Sequence, residues 1–168
     1  MQYRKMGSLD WQVSALGFGC MRLPGRRFSL MGADLEESKR IIRYGIDRGI
    51  NYLDTAWFYH LGESEKILGE VLKDGYRDKV KLVTKLPMPL VRNRTDFERY
   101  LISQMERLQT EFLDIYLFHS MNAGQFAKMK NLGLLEEMEK AQQQGRIGHI
   151  GFSFHDTYPV FKELVDHY

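Results

Sequence analysis

The chain has 168 residues, of which 43% are hydrophobic and 27% charged, a composition typical of one soluble globular domain. Its formal net charge of +2 gives no indication of nucleic acid as a partner. No apolar run approaches the ~20 residues of a membrane-spanning helix, and the first residues lack the apolar stretch of a secretory signal. A single cysteine, Cys20, forms neither an internal disulfide nor a cysteine metal site by itself. We therefore expect a cytoplasmic protein.

Strand-like and helix-like segments alternate along the chain. Residues 3–16 predict a small hairpin that turns near residues 7–10. Predicted strands follow at 14–20, 50–54, 79–85, 112–119 and 147–153, and predicted helices at 33–49, 64–74, 95–108, 132–145 and from 157 onward. Strands that alternate with helices indicate βαβ units and a parallel sheet, and the continuous apolar character of these strands fits burial on both faces.

Several residues mark the expected ends and faces of these helices. The first helix has Leu35, Ile42 and Ile46 on one predicted face and Gly49 as its C-terminal stop. In the third helix, Thr95 and Glu98 stand at the spacing of a capping box. Ile67, Leu68, Val71 and Leu72 cluster in the second helix, Phe97, Leu101, Met105 and Leu108 form the stripe of the third, and Pro159 lies in the first turn of the last.

Two architectures fit this alternation, a doubly wound sheet and a (β/α) barrel. The dinucleotide fingerprint G-x-G-x-x-G is missing after the first strand, where "GFGCMR" places an arginine at the third glycine position. That difference favours the barrel.

Polar residues stand where the predicted strands end. The second strand ends at Asp54, the third at Lys85, the fourth at His119 and the fifth at Ser153. Each residue taken alone has a structural explanation, such as a helix cap or a solvated strand end. In a barrel, however, all four would meet at the C-terminal rim, from which catalytic groups come. Their joint placement therefore favours a functional site.

The segment "NYLDTAWFYH" adds a tyrosine, Tyr59, five residues after Asp54. A carboxylate after a buried strand is costly unless a cation faces it, and Lys85 on the next strand supplies one. A phenol is a poor acid at neutral pH unless a nearby cation stabilises its phenolate. Lys85 could do so for Tyr59, with Asp54 holding the ammonium group. Gly17 and Gly19 in "GFGCM" would allow close backbone approach to a flat ligand.

These residues resemble those of the aldo-keto reductases. The resemblance is carried by "LGFGCMRLP" (16–24), "GINYLDTAWFYHLGESEKILGEVL" (49–72), "LVTK" (82–85), "DIYLFH" (114–119) and "RIGHIGFS" (146–153). It runs through essentially the whole chain in the family's order. The sequence of the first 24 residues also resembles that of a bacterial subgroup with a C-terminal iron–sulfur tail, although this chain has no cluster ligands.

The resemblance implies a TIM-type (β/α)8 barrel that reduces an aldehyde or ketone with NADPH, with NADH as an alternative and no metal in this chain. Tyr59 would be the general acid, Lys85 and Asp54 its tuning pair, and His119 would orient the substrate carbonyl. On the cofactor side, the implied residues are Gly19, Cys20, Met21, Asp54 and Ser153. Phe154 stands where many members have asparagine, a departure in the carboxamide site.

The chain ends at Tyr168, after five predicted strands, whereas a TIM-type barrel has eight strands and ~250 residues. We therefore expect residues 1–168 to be the N-terminal part of one barrel domain, with open sheet edges through which it could self-associate. The expected partner is a small carbonyl substrate, with no nucleic acid and no membrane. The alternative function is a catalytically inactive fragment that acts as a binding or regulatory module. A Schiff-base lyase using Lys85 is disfavoured, because an ion-paired lysine is a poor nucleophile.

Overall fold

The structure is a computed structural model that describes residues 1–25 and 32–167. The strands in these ranges are β1 (Tyr3–Lys5), β2 (Gln12–Ser14), β3 (Phe18–Gly19), β4 (Tyr52–Asp54), β5 (Lys81–Leu86), β6 (Leu113–Met121) and β7 (Ile147–Phe154). The helices are α1 (Leu35–Asp47), α2 (Glu63–Val71), α3 (Asp96–Leu108), α4 (Ala123–Leu132), α5 (Leu134–Gln143) and α6 (Tyr158–His167). None of the helices in these ranges has the length and apolar character that crossing a bilayer requires.

The predicted hairpin is confirmed. Strands β1 and β2 pair antiparallel, with Tyr3 opposite Ser14 and Lys5 opposite Gln12. Gly7 lies in the turn with φ +56°, a conformation that glycine adopts at little cost.

The other five strands form one parallel sheet in the order β3-β4-β5-β6-β7, which is also their order along the chain. A doubly wound sheet reverses its strand order at a switch point, and no reversal occurs among the described strands. The sequence expectation of a barrel wall is confirmed. Parallel pairing brings the C-terminal ends of neighbouring strands together, and Asp54 on β4 lies in register with Gly19 on β3 and Val83 on β5.

The main hydrophobic cluster unites buried side chains of the sheet with those of the helices, among them Leu82 and Tyr116 from strands and Ile42, Leu101 and Met138 from helices. Helices α2 and α3 approach closely at Gly69, where an added Cβ would lie 2.5 Å from the carbonyl oxygen of Arg107. A larger residue there would force these helices apart. The predicted clusters of α2 and α3 are buried, except that Met105 is partly exposed.

The capping box predicted for α3 is wrong. Thr95 is the residue before the helix, but its side chain accepts no hydrogen bond from the helix amides. Instead its hydroxyl donates to Asn93 Oδ1, which also accepts from the Asp96 amide. Glu98 is drawn away from the cap by an ion pair with Arg146, at 2.6 Å. The tertiary partner of Glu98, far along the chain, outweighs the local motif.

Three further expectations needed correction. The first predicted strand, 14–20, is only two residues long, because Ser14 belongs to the hairpin and Cys20 begins a 3₁₀ turn. Leu35, expected on the buried face of α1, is 39% exposed, and the buried positions begin at Ser38. Helix α4 was not predicted, because only Phe126 and Met129 are buried along it and they form a weak apolar stripe.

Candidate active site

Asp54, Tyr59 and Lys85 meet at the C-terminal end of the sheet. Lys85 lies on β5, and its Nζ is 2.7 Å from Oδ1 of Asp54 on the adjacent β4. Tyr59 follows β4 after a short turn, and its hydroxyl is 3.2 Å from the same Nζ. Lys85 is 5% exposed, so its interaction with the carboxylate is little screened by water. The predicted contact between Asp54 and Lys85 is present.

In the part of the chain that the structure describes, three acceptors surround the Lys85 ammonium group. Besides Asp54 and Tyr59, the backbone carbonyl of Thr55 accepts a hydrogen bond from Nζ at 2.7 Å. An ammonium group has three N–H donors, so each donor has one acceptor here. Since Lys85 donates to the oxygen of Tyr59, the phenolic proton is not needed for this contact. It remains available to another acceptor at the rim.

His119 lies beside these residues on β6. Its ring centroid is 6.0 Å from that of Tyr59, in an edge-on arrangement, and 5.9 Å from that of Phe58. Burial, aided by the charge of Lys85 and by His155, lowers the pKa of His119 to about 4, so the imidazole is neutral at physiological pH. Its Nδ1 atom is buried and has no hydrogen-bond partner among residues 1–25 and 32–167.

The strands extend beyond three of the four residues predicted to end them. β5 continues to Leu86, β6 to Met121 and β7 to Phe154, so only Asp54 is terminal. The pairing of β6 with β7 shifts register between Phe118 and Met121, and Ser120 has φ +57°. This irregularity comes directly after His119, and such bulges redirect side chains next to functional sites.

Ser153 lies on β7, opposite the irregular part of β6. Its hydroxyl oxygen accepts a hydrogen bond of 2.8 Å from the Ser120 amide, so the side chain supports the bulge, and its own proton has no acceptor among residues 1–25 and 32–167. Phe154, the departure from the family pattern, packs its ring edge-on against Phe161 of α6, with centroids 5.3 Å apart.

The loop of residues 19–23, which begins at the last residue of β3, forms a wall beside Asp54. Cys20 is fully buried, so only its backbone could face a ligand, and burial together with the charge of Asp54 raises the pKa of its thiol. Met21 is 57% exposed. Within the described ranges, a Cβ at Gly19 would meet no atom within 4 Å, whereas one at Gly17 would lie 3.3 Å from the Tyr52 ring. Gly19 therefore presents an open backbone, and the close approach at Gly17 is to Tyr52.

A buried polar network that sequence reasoning missed supports the site from behind. Glu65 of α2 is fully buried and accepts hydrogen bonds from Thr84, Gln104 and Arg107. Burial raises the pKa of Glu65, and these hydrogen bonds oppose that rise. Gln104 also donates to the carbonyl of Lys85, at 3.1 Å.

The network reaches the turn of Tyr59 through Arg107. The Arg107 guanidinium lies 3.5 Å from the ring centroid of Trp57, two residues before Tyr59. Glu65 thus links the strand of Lys85 to the turn of Tyr59. The signal in the sequence was an acidic residue on the otherwise apolar face of α2.

A parallel wall of βα units with aspartate, lysine, tyrosine and histidine at one rim defines a protein of the (β/α)-barrel class. Comparisons with known proteins agree with that class. The family model described as "Aldo/keto reductase family" matches residues 15–164. The chain belongs to the aldo/keto reductase family.

Among curated relatives, the aldo-keto reductase YhdN of Bacillus subtilis (strain 168) is 33% identical over 127 residues, which cover 71% of this chain and 38% of the relative. Probable aldo-keto reductase 1 of Glycine max is 27% identical over 157 residues, 89% of this chain and 44% of the relative. The chain thus spans less than half the length of these two relatives.

Solved structures give the same result. An aldo-keto reductase of Bacillus halodurans in its holo form superposes with a TM-score of 0.79 at 29% identity, covering 99% of this chain and 54% of that one. An aldo-keto reductase of Klebsiella pneumoniae in complex with NADPH gives a TM-score of 0.75 at 30% identity, covering 92% and 50%. These matches identify the fold as TIM-barrel type, of which the described residues supply the hairpin and five βα units.

Proposed function

We propose that this chain carries the catalytic rim of an NADPH-dependent oxidoreductase that reduces an aldehyde or a ketone. The observation that carries the proposal is the position of Lys85 Nζ between Asp54 Oδ1 and the Tyr59 hydroxyl, at 2.7 and 3.2 Å. A cation held beside a phenol oxygen stabilises negative charge on that oxygen. Proton transfer from Tyr59 to a carbonyl oxygen therefore leaves a phenolate with its counter-ion already in place.

His119 would orient the substrate in this mechanism. A neutral imidazole can donate one hydrogen bond to a carbonyl oxygen without giving up a proton. The ring centroids of His119 and Tyr59 lie 6.0 Å apart, and this closeness supports a donor on the same side of the rim as the phenol. The two groups could therefore approach one carbonyl oxygen together, Tyr59 as acid and His119 as the group that fixes the direction of approach.

The residues at the rim fit a nicotinamide cofactor, NADPH in the first place and NADH as an alternative. No described residue lies within 4 Å of the Cβ side of Gly19, Met21 is exposed, and the Ser153 hydroxyl has a proton to donate. Gly19, the Cys20 backbone, Met21, Asp54 and Ser153 would hold the nicotinamide end. When bound, such a cofactor supplies the hydride for carbonyl reduction.

The test is Tyr59→Phe, which keeps the ring and removes the proton donor. General acid catalysis contributes ~10²–10⁴-fold, so NADPH oxidation with an aldehyde should fall by at least about 100-fold while cofactor affinity changes little. Tyr76→Phe is a matched control, because the Tyr76 hydroxyl donates to Asp47, away from the rim. Near-normal reduction by Tyr59→Phe would remove Tyr59 from the mechanism.

The second candidate is a binding or regulatory module. Such a module would keep Asp54, Tyr59, Lys85 and His119 at the rim without carrying out the chemistry. Fluorescence titration with NADPH, followed by addition of aldehyde, separates the two functions. A binding module takes up the cofactor without oxidising it, whereas an oxidoreductase consumes it.

A further inference from the structure

The turn that follows Tyr59 has an unusual backbone. His60 has φ 51° and ψ 43°, and Leu61 has φ 55° and ψ 31°, both in the left-handed region. Residues with a Cβ are disfavoured there, and glycine is the residue that adopts this region most readily. Two successive non-glycine residues in this region need a compensating interaction.

His60 makes such an interaction. Its Nε2 accepts a hydrogen bond of 2.8 Å from the backbone amide of Leu23, 37 residues away in sequence. Leu23 is 6% exposed, so this amide would be hard to satisfy with water if the contact were lost. A glycine at position 60 would suit the backbone but would provide no acceptor.

The same loop is attached at its other end. The Ser64 hydroxyl donates to the Cys20 carbonyl at 2.9 Å and lies 2.8 Å from the Thr55 hydroxyl. The loop of residues 19–23 is therefore tied at Cys20 and at Leu23 to the segment that bears Tyr59. Met21, between the two ties, remains exposed at the rim.

We propose that His60 is a positioning residue that fixes the loop of residues 19–23 against the turn of Tyr59. The imidazole carries its proton on Nδ1, so that Nε2 accepts from Leu23. Resting on the proposed function, the consequence is that His60 sets the distance between the nicotinamide-side wall and the acid. The hydrogen bond of the His60 side chain then explains why histidine occupies a position whose left-handed backbone angles alone would favour glycine.

Hydrogen exchange of the Leu23 amide, measured by NMR, tests the contact directly. In His60→Phe the ring remains without an acceptor, and in His60→Gly the backbone strain is relieved without an acceptor. Both should exchange the Leu23 amide about two- to tenfold faster, the range that corresponds to the net worth of one hydrogen bond. His60→Gln, whose side-chain oxygen reaches a similar distance, should restore most of the protection.

His149→Phe is the matched control, because His149 packs edge-on against Trp11 of the hairpin and does not contact the loop. It should leave Leu23 exchange unchanged. Unchanged exchange in both His60→Phe and His60→Gly would overturn the proposal, and so would equal acceleration in His60→Gln, since a lost acceptor could not then be the cause.

The functional consequence has its own measurement, the NADPH dissociation constant from nicotinamide fluorescence. It should rise about two- to tenfold in the Phe and Gly variants and stay near the unmodified value in the Gln variant. Faster exchange with unchanged NADPH affinity would overturn the role of His60 toward the cofactor. If the unmodified chain binds no NADPH, the proposed function fails, and the exchange comparison alone decides the contact.

Discussion

The ammonium group of Lys85 belongs to a residue that is almost fully buried. Its three donors point at a carboxylate, a carbonyl and a phenol oxygen, an arrangement that holds the ammonium group in one orientation. The charge of the ammonium group therefore acts on the Tyr59 oxygen from a fixed position.

Replacing Lys85 by methionine should abolish this coupling. Without the ammonium group, the Tyr59 phenolate loses its counter-ion, so activity at pH 7 should fall at least about 100-fold and the basic limb of the pH–rate profile should move to higher pH. Asp54→Asn leaves a charged but less well held Lys85 and should be milder. A basic limb that stays in place in Lys85→Met would show that the two groups are not coupled.

His119 should make the stability of the fold depend on pH. Its pKa is about 4 in the folded chain and near the ordinary value of ~6.5 when unfolded, so the unfolded state binds more protons between these values. The unfolding free energy that comes from keeping His119 neutral is fully present above about pH 6.5 and is lost as the pH falls toward about 4.

Urea unfolding at pH 7 and pH 4.5 measures this effect. After allowance for screening by solvent, His119→Phe should reduce the acid-induced loss of unfolding free energy by up to about 2 kcal/mol. His149→Phe, which replaces a partly exposed histidine packed against Trp11, is the control and should keep the loss of the unmodified chain. An equal loss in all three proteins would show that His119 is not held neutral by the fold.

At the scale of elements, the start of α3 shows which residue stabilises a helix end. Asp96 accepts hydrogen bonds from the amides of Arg92 and Asn93 and from the guanidinium of Arg99. These contacts lower the pKa of Asp96, the Arg92 amide most of all. The carboxylate thus ties the preceding loop to the first turn, where its charge also suits the helix dipole.

Asp96→Ala should therefore cost about 1–2 kcal/mol of unfolding free energy, because the carboxylate loses its hydrogen bonds to the backbone of the preceding loop and to Arg99. Thr95→Ala, which removes the residue that the sequence motif indicated, should cost at most about 0.5 kcal/mol, since the Thr95 hydroxyl donates to the exposed side chain of Asn93. Urea midpoints at constant m-value give both numbers. A larger loss of unfolding free energy in Thr95→Ala than in Asp96→Ala would show that the capping box does stabilise α3.

At the scale of the whole molecule, β7 is the strand at one side of the sheet. It pairs with β6 and with no other strand in the described ranges. From residue 148 to 154 every position of β7 is partly exposed, whereas most of β6 is buried. An unpaired strand edge next to exposed apolar side chains promotes association between chains.

We expect the 168-residue chain to self-associate with increasing concentration, as multi-angle light scattering would show. Phe154→Lys places a charge at the end of β7 and should shift association to higher concentration, because lysine at an edge opposes strand pairing. Ile102→Lys is the matched control, an exposed apolar residue of α3 on the helical surface. A monodisperse monomer at all concentrations would show that the edge does not pair.

The sequence by itself determined the strand and helix alternation, the parallel sheet and the residues at its rim. Continuous apolar runs indicated strands buried on both faces, and Asp54 and Lys85 were recognisable because charged residues rarely follow such runs. These signals are local, since burial and periodicity are recorded along a few neighbouring residues.

Only the tertiary structure decided the contacts. That Lys85 donates to three acceptors, that His60 accepts from Leu23 and that Glu98 leaves the helix cap for Arg146 all depend on residues 31, 37 and 48 positions apart. These contacts depend on strand register and on how loops and helices pack against the sheet. A local pattern cannot specify them, because a register shift of one residue moves every side chain of a strand to its other face.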